Sequence, residues 1–135
     1  MVGGYAVALH GAVRGTVDLD LVLTWSRDNL EKAVHALQSL GLQSHLPIDV
    51  ETVFSQRDAL IRDKHLIAWN FYNPKNLAEQ VDLIIDFDLS GCAVKNIDVG
   101  QAVIPVLNIH DLIRMKEKSG RPQDLADISA LRNLP

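Results

Sequence analysis

Two aspartates one residue apart, Asp18 and Asp20, sit in the apolar run Thr16-Val17-Asp18-Leu19-Asp20-Leu21-Val22-Leu23, with thirteen residues between Asp18 and the pair Gly3-Gly4. Acids alternating with aliphatics predict a half-buried strand over residues 16–24. Side chains at i and i+2 of a strand share a face, so both carboxylates project from one surface. Like charges held that close repel, and a shared cation relieves both. Mg²⁺ prefers oxygen ligands, usually one or two carboxylates together with substrate phosphates, and Mn²⁺ suits the same ligands. The glycines allow a tight turn and a close approach of backbone N–H groups to a phosphate, which a Cβ at Gly3 or Gly4 would obstruct. Arg14 can grip a phosphate with two hydrogen bonds, or neutralise Asp18 or Asp20 instead. The Thr16 hydroxyl can add a further hydrogen bond.

A pair of metal ions at a phosphate usually needs a third carboxylate. Val81-Asp82-Leu83-Ile84-Ile85-Asp86 sets two acids in an aliphatic run, where an unpaired carboxylate would be costly to bury. Asp82 and Asp86 would share one face of a strand over 80–87, so the pattern leaves the third acid open between them. Arg114, Lys116, Lys118 and Arg121 surround the end of a helix expected over 109–118. Such cations can reach a triphosphate, and they also stabilise a helix C-terminus. Asp124 and Asp127 read as partners of this basic group and as caps of the last helix. The five histidines are dispersed, which argues against zinc. There is no Gly-x-x-x-x-Gly-Lys-Ser/Thr loop. Trp25 and Trp69 read as core or rim residues.

Gly3-Gly4-Tyr5-Ala6-Val7-Ala8-Leu9-His10-Gly11, followed by Arg14-x-Thr16-x-Asp18-Leu19-Asp20, resembles the nucleotidyltransferase superfamily, and more narrowly its AbiEii-type and related small members. Asp111 to Lys116, then Ser119-Gly120-Arg121-Pro122-Gln123-Asp124-Leu125-Ala126-Asp127-Ile128, resembles the C-terminal signature of that group. The resemblance is weakest between residues 25 and 75. It implies a nucleotidyltransferase-like core and Mg²⁺-dependent transfer of a nucleoside monophosphate from an NTP to a hydroxyl acceptor. That acceptor would belong to RNA, a protein or a small molecule. The resemblance also implies Asp18, Asp20 and Asp82 as metal-binding and catalytic acids, Asp82 being favoured over Asp86 by a Val-Asp-Leu-Leu-like segment. Gly3, Gly4, Arg14, Thr16 and Lys116 would face the nucleotide phosphates. Toxins of toxin–antitoxin and phage-defence pairs are prominent in the group, which brings in an antitoxin protein as a partner. Relatives carry an additional segment before the glycines, where only Met1 and Val2 stand here, and many active ones have Gly-Ser where this chain has Gly-Gly. A catalytically silent binder of nucleotide or partner is therefore the competing expectation.

Bulk composition sets the frame. A chain of 135 residues, 47% hydrophobic and 22% charged, is long and apolar enough for one domain with a real core, and too apolar for disorder. No apolar run is long enough to cross a bilayer, and no secretory leader is visible. The single cysteine, Cys92, allows no internal disulfide and suits a reducing cytoplasm. A net charge of −4 gives no overall attraction to polyanions, so an RNA acceptor would need a local basic patch.

The elements that must position these residues follow from periodicity. Tyr5 to His10 forms a short helix after the glycine turn. Asp28 with Glu31 fits a capping box, followed by Leu30, Ala33, Val34, Leu37 and Leu40 at helical spacing, with Gly41 as the stop. One or two short helices run from about residue 50 to Lys64, then a strand from His65 to Tyr72 closes at Asn73-Pro74. Two short strands are expected over 93–107 around Gly100, with Pro105 confined to an edge or loop. Pro122 opens the final helix, which reaches about Arg132. The sum is an α/β chain of the α+β kind, a small mixed β-sheet with helices packed against it.

Overall fold

A computed structural model describes all 135 residues and shows an α+β fold of six helices and six strands. In chain order these are α1 (Gly3–Leu9), β1 (Leu19–Leu21), α2 (Arg27–Ser39), β2 (Gln43–Ser44), α3 (Val50–Ser55) and α4 (Arg57–Lys64). They continue with β3 (Ala68–Asn73), β4 (Asn76–Ile84), β5 (Val94–Asp98), β6 (Val103–Leu107), α5 (Ile109–Ser119) and α6 (Pro122–Arg132). No helix is long and apolar enough to cross a membrane. The chain divides into two compact units, one of Met1–Leu19 with Gly91–Pro135, the other of Asp20–Ser90.

In the first unit, α1 starts at Gly3, whose φ of +67° lies in the left-handed region that favours glycine. Val2, Ala6 and Val7 are fully buried. β5 and β6 pair antiparallel, with Asn96 opposite Pro105. A two-stranded ribbon has only edge strands, so a proline without an N–H is tolerated there. The Asn108 side chain caps α5 by accepting from the Asp111 N–H at 2.8 Å. Gly120, at φ +65°, ends that helix, and Pro122 takes the first position of α6. Leu112 of α5 and Ile128 and Leu131 of α6 are buried where the two helices pack.

In the second unit, four strands form a sheet in the order β1-β4-β3-β2. β3 and β4 are an antiparallel hairpin with Trp69 opposite Leu83 and Phe71 opposite Val81. Those four side chains are buried, so alternation places Asn70 and Asp82 on the opposite face. Leu30, Val34 and Leu37 form the buried stripe of α2, and Val34 shares a cavity of about 410 Å³ with Trp69 and Phe71.

Four expectations shift. The strand expected over 16–24 is ordered as β-ladder only at Leu19–Leu21. A ladder needs a partner for every rung, and Val13 and Val17 instead lie exposed along an irregular segment. The cap of α2 is Ser26, whose hydroxyl accepts from the Asn29 N–H at 3.1 Å, so the helix starts before the expected Asp28–Glu31 box. β4 begins at Asn76, directly after the Pro74-Lys75 turn, and ends at Ile84. Asp86 therefore lies in a bend beyond β4 and does not share a strand face with Asp82.

Candidate functional site

The boundary between the two units falls between Leu19 and Asp20. Gly3, Gly4, Arg14, Thr16, Asp18 and Lys116 belong to the first unit, and Asp20, Asp82 and Asp86 to the second.

In the first unit, Gly4 and Thr16 meet directly. A Cβ placed on Gly4 would lie 2.7 Å from Thr16 Cβ and 2.8 Å from its Oγ1, so the segment before Asp18 crosses α1 where only glycine leaves room. The tight approach expected of a glycine here is made by the chain's own threonine. Asp18 is exposed and sits in a bend, one residue before β1. The strand-face argument for Asp18 and Asp20 thus rests on a strand that begins between them.

Arg14 does not pair with Asp18. Its Nε lies 3.1 Å from Asp127 Oδ1, and its Nη1 donates to the carbonyl of Gly15. Asp127 also accepts from Lys116 Nζ at 2.6 Å and from Gln123 Nε2 at 3.2 Å. Lys116, expected at a phosphate, is only 6% exposed, and its ammonium is held between Asp127 and Asp124, the latter at 3.3 Å. Arg121 Nε donates to Asp124 Oδ2 at 2.8 Å. Burial pushes the Asp124 carboxyl upward, but hydrogen bonds from Arg121, Ser119 and Lys116 and the Arg121 charge overcome it and hold the group well below its ordinary value of 3.8. His10 Nε2 donates to Leu107 O at 2.7 Å, while its Nδ1 is buried without a partner.

In the second unit, Asp20 stands on β1 and Asp82 on β4, neighbouring strands of the sheet. Asp82 is half-buried, and its Oδ1 accepts from Asn70 Nδ2 at 2.5 Å. Asn70 sits directly opposite Asp82 in the β3–β4 register. Sequence reasoning missed Asn70, since only the pairing register brings residues twelve apart together. No three of the chain's His, Cys, Asp and Glu side chains are gathered into a preformed metal cage. Asp20 and Asp82 fit the hard-oxygen demand of Mg²⁺, which takes one or two carboxylates and completes its shell with phosphate and water.

Compared with known protein-family models and with curated proteins, the chain finds no match.

Proposed function

We propose that this protein is a nucleotidyltransferase-type protein that binds an NTP with Mg²⁺ (or Mn²⁺) through Asp18, Asp20 and Asp82 and transfers its nucleoside monophosphate to a hydroxyl acceptor. The observation that carries the reading is the adjacency of β1 and β4, which sets Asp20 and Asp82 on neighbouring strands while Asp18 precedes Asp20 by two residues. The bound metal would neutralise the triphosphate and the leaving pyrophosphate. The chain's own share is positioning. The Asn70 amide orients the Asp82 carboxylate by holding Oδ1, leaving Oδ2 for a cation. The Gly4–Thr16 contact fixes the segment that leads into Asp18. RNA, a protein side chain and a small molecule are the acceptor classes, and a cytoplasmic toxin or defence role with an antitoxin partner follows from the same resemblance.

A second reading, a catalytically silent nucleotide or partner binder, draws support from Lys116. Its charge is consumed by Asp124 and Asp127 inside the α5–α6 pair, so a triphosphate at this fold would lack that cation. Pyrophosphate release from NTPs with Mg²⁺ separates the two. Release by the wild type, and at least a hundred-fold loss in the Asp18→Asn/Asp20→Asn protein with its fold intact, is the expected result. Metal-stabilised NTP binding without release, across all candidate acceptors, would establish the silent binder instead.

A further inference from the structure

Arg57, the first residue of α4, is fixed in place without using its fork. Its Nε donates to the carbonyl of Ile85 at 2.6 Å. Its guanidinium carbon lies 4.1 Å from the centroid of the Trp25 ring, and Trp25 stacks on Phe54 with centroids 6.3 Å apart. A backbone acceptor and an aromatic face together set the plane of the guanidinium, so little rotamer freedom remains to be lost on binding. No carboxylate of the chain forms an ion pair with it. Asp88 Oδ1 accepts from Ser90 N–H at 3.0 Å, from Trp25 N–H at 3.1 Å and from the Ser90 hydroxyl at 2.8 Å. These bonds, the Ser90 N–H first, hold the Asp88 carboxyl below its ordinary value, and the Arg57 charge adds the smallest share.

The fork borders an open cleft of about 510 Å³ lined also by Trp25, Phe54, Gln56, Asp58 and Arg62. Arg62 is already engaged with Asp63 at 2.9 Å, which leaves Arg57 as the arginine of the cleft without a direct ion pair. A half-buried guanidinium with idle N–H donors gains most from a planar two-oxygen acceptor. The volume lies in the range of small-molecule sites. We propose that this cleft binds a small ligand through an oxyanion, phosphoryl or carboxylate, seated on the Arg57 fork with its apolar part against Phe54. The site uses none of Asp18, Asp20 and Asp82 and needs no metal, so it stands apart from the reading above.

Tryptophan emission gives the test, because Trp25 lines the cleft and Trp69 is 1% exposed in the core. The full chain is titrated in EDTA with pyrophosphate, inorganic phosphate and acetate, and amide shifts are mapped in parallel. A saturable emission change, with shifts centred on Gln56 to Ala59 and the Trp25 indole, is expected. Arg57→Lys, which keeps the charge and loses the fork, should weaken binding at least ten-fold, and Arg57→Met should abolish it. A response to the phosphates alone assigns a phosphoryl ligand, to acetate alone a carboxylate, and to all three a general oxyanion site. No saturable response, a response that survives Arg57→Met, or shifts centred elsewhere would overturn the proposal. The shift map on the wild type decides even where Arg57→Met fails to fold.

Discussion

Thr16 occupies the space that a side chain on Gly4 would need. Inside a helix, Gly→Ala ordinarily gains up to about 1 kcal/mol. Here the overlap with Thr16 Cβ should cost about 1–3 kcal/mol and win. Gly4→Ala is therefore expected to lower the urea midpoint, and Thr16→Gly in the same chain should recover part of the loss. A double-mutant cycle with no coupling above about 0.5 kcal/mol would show that the contact is not limiting. The acids belong to the same scale. Asp82, on β4 and held by Asn70, is expected to lose pyrophosphate release at least a hundred-fold as Asp82→Asn, whereas Asp86→Asn in its bend should change it by no more than a few-fold. A folded Asp86→Asn protein without turnover would exchange their roles. The pairing of Asp124 and Asp127 with the basic group was readable from the chain, but other neighbours were not. Nothing local in Asn70 or Asp127 signals that one faces Asp82 across a hairpin and the other takes Arg14 as well as Lys116.

The pairing of α5 with α6 depends on a buried charge cluster as much as on Leu112, Ile128 and Leu131. Lys116, Asp124 and Asp127 are each at most 6% exposed. Removing one member of such a cluster leaves buried charge uncompensated, so Lys116→Met should destabilise by about 3–5 kcal/mol in chemical denaturation. A loss below about 1 kcal/mol would mean that water reaches the aspartates. Asp124 also gives the cluster a pH signature. Its carboxyl is depressed in the folded state, so the folded protein holds this proton less readily than the unfolded chain. The stabilisation is complete above the unfolded value of 3.8 and fades as pH falls through and below it. Urea midpoints measured from pH 6 to pH 2.5 should fall more steeply for the wild type than for Asp124→Asn, and parallel profiles would remove Asp124 from the acid response. Elements of this part were legible because their signals are punctuation: Gly120 and Pro122 mark ends by backbone geometry that tertiary contacts rarely override, whereas the Asn108 cap of α5 went unread. β1 was overread because alternation records which side chains prefer water, while a ladder also requires a neighbouring strand. β2, two residues long, carries no pattern to read.

At the scale of the molecule, a chain of net charge −4 does not attract a free triphosphate. ATP affinity measured by calorimetry should therefore rise at least ten-fold when Mg²⁺ is added, and AMP should bind far more weakly with or without it. Equal affinities for ATP and AMP, indifferent to Mg²⁺, would rule out a metal–triphosphate site. The α+β class was legible in the alternation of helical and strand periods, but the division into units was not, because no linker composition marks residues 19–20 or 90–91. That division has a consequence for how the protein is made. The Asp20–Ser90 unit is contiguous, so all of its residues have been synthesised by Ser90. The other unit is split: α1 packs on β6 and α6, and about 120 residues separate Val7 from Ile128. At translation speeds of roughly 5–20 residues per second, the apolar stretch Val2 to Leu9 waits on the order of ten seconds for its partners. Through that interval the nascent chain carries an apolar segment still without its partners, the kind of segment chaperones engage. The pace of elongation past residue 90 thus sets how long the first nine residues must be kept from finding the wrong surface.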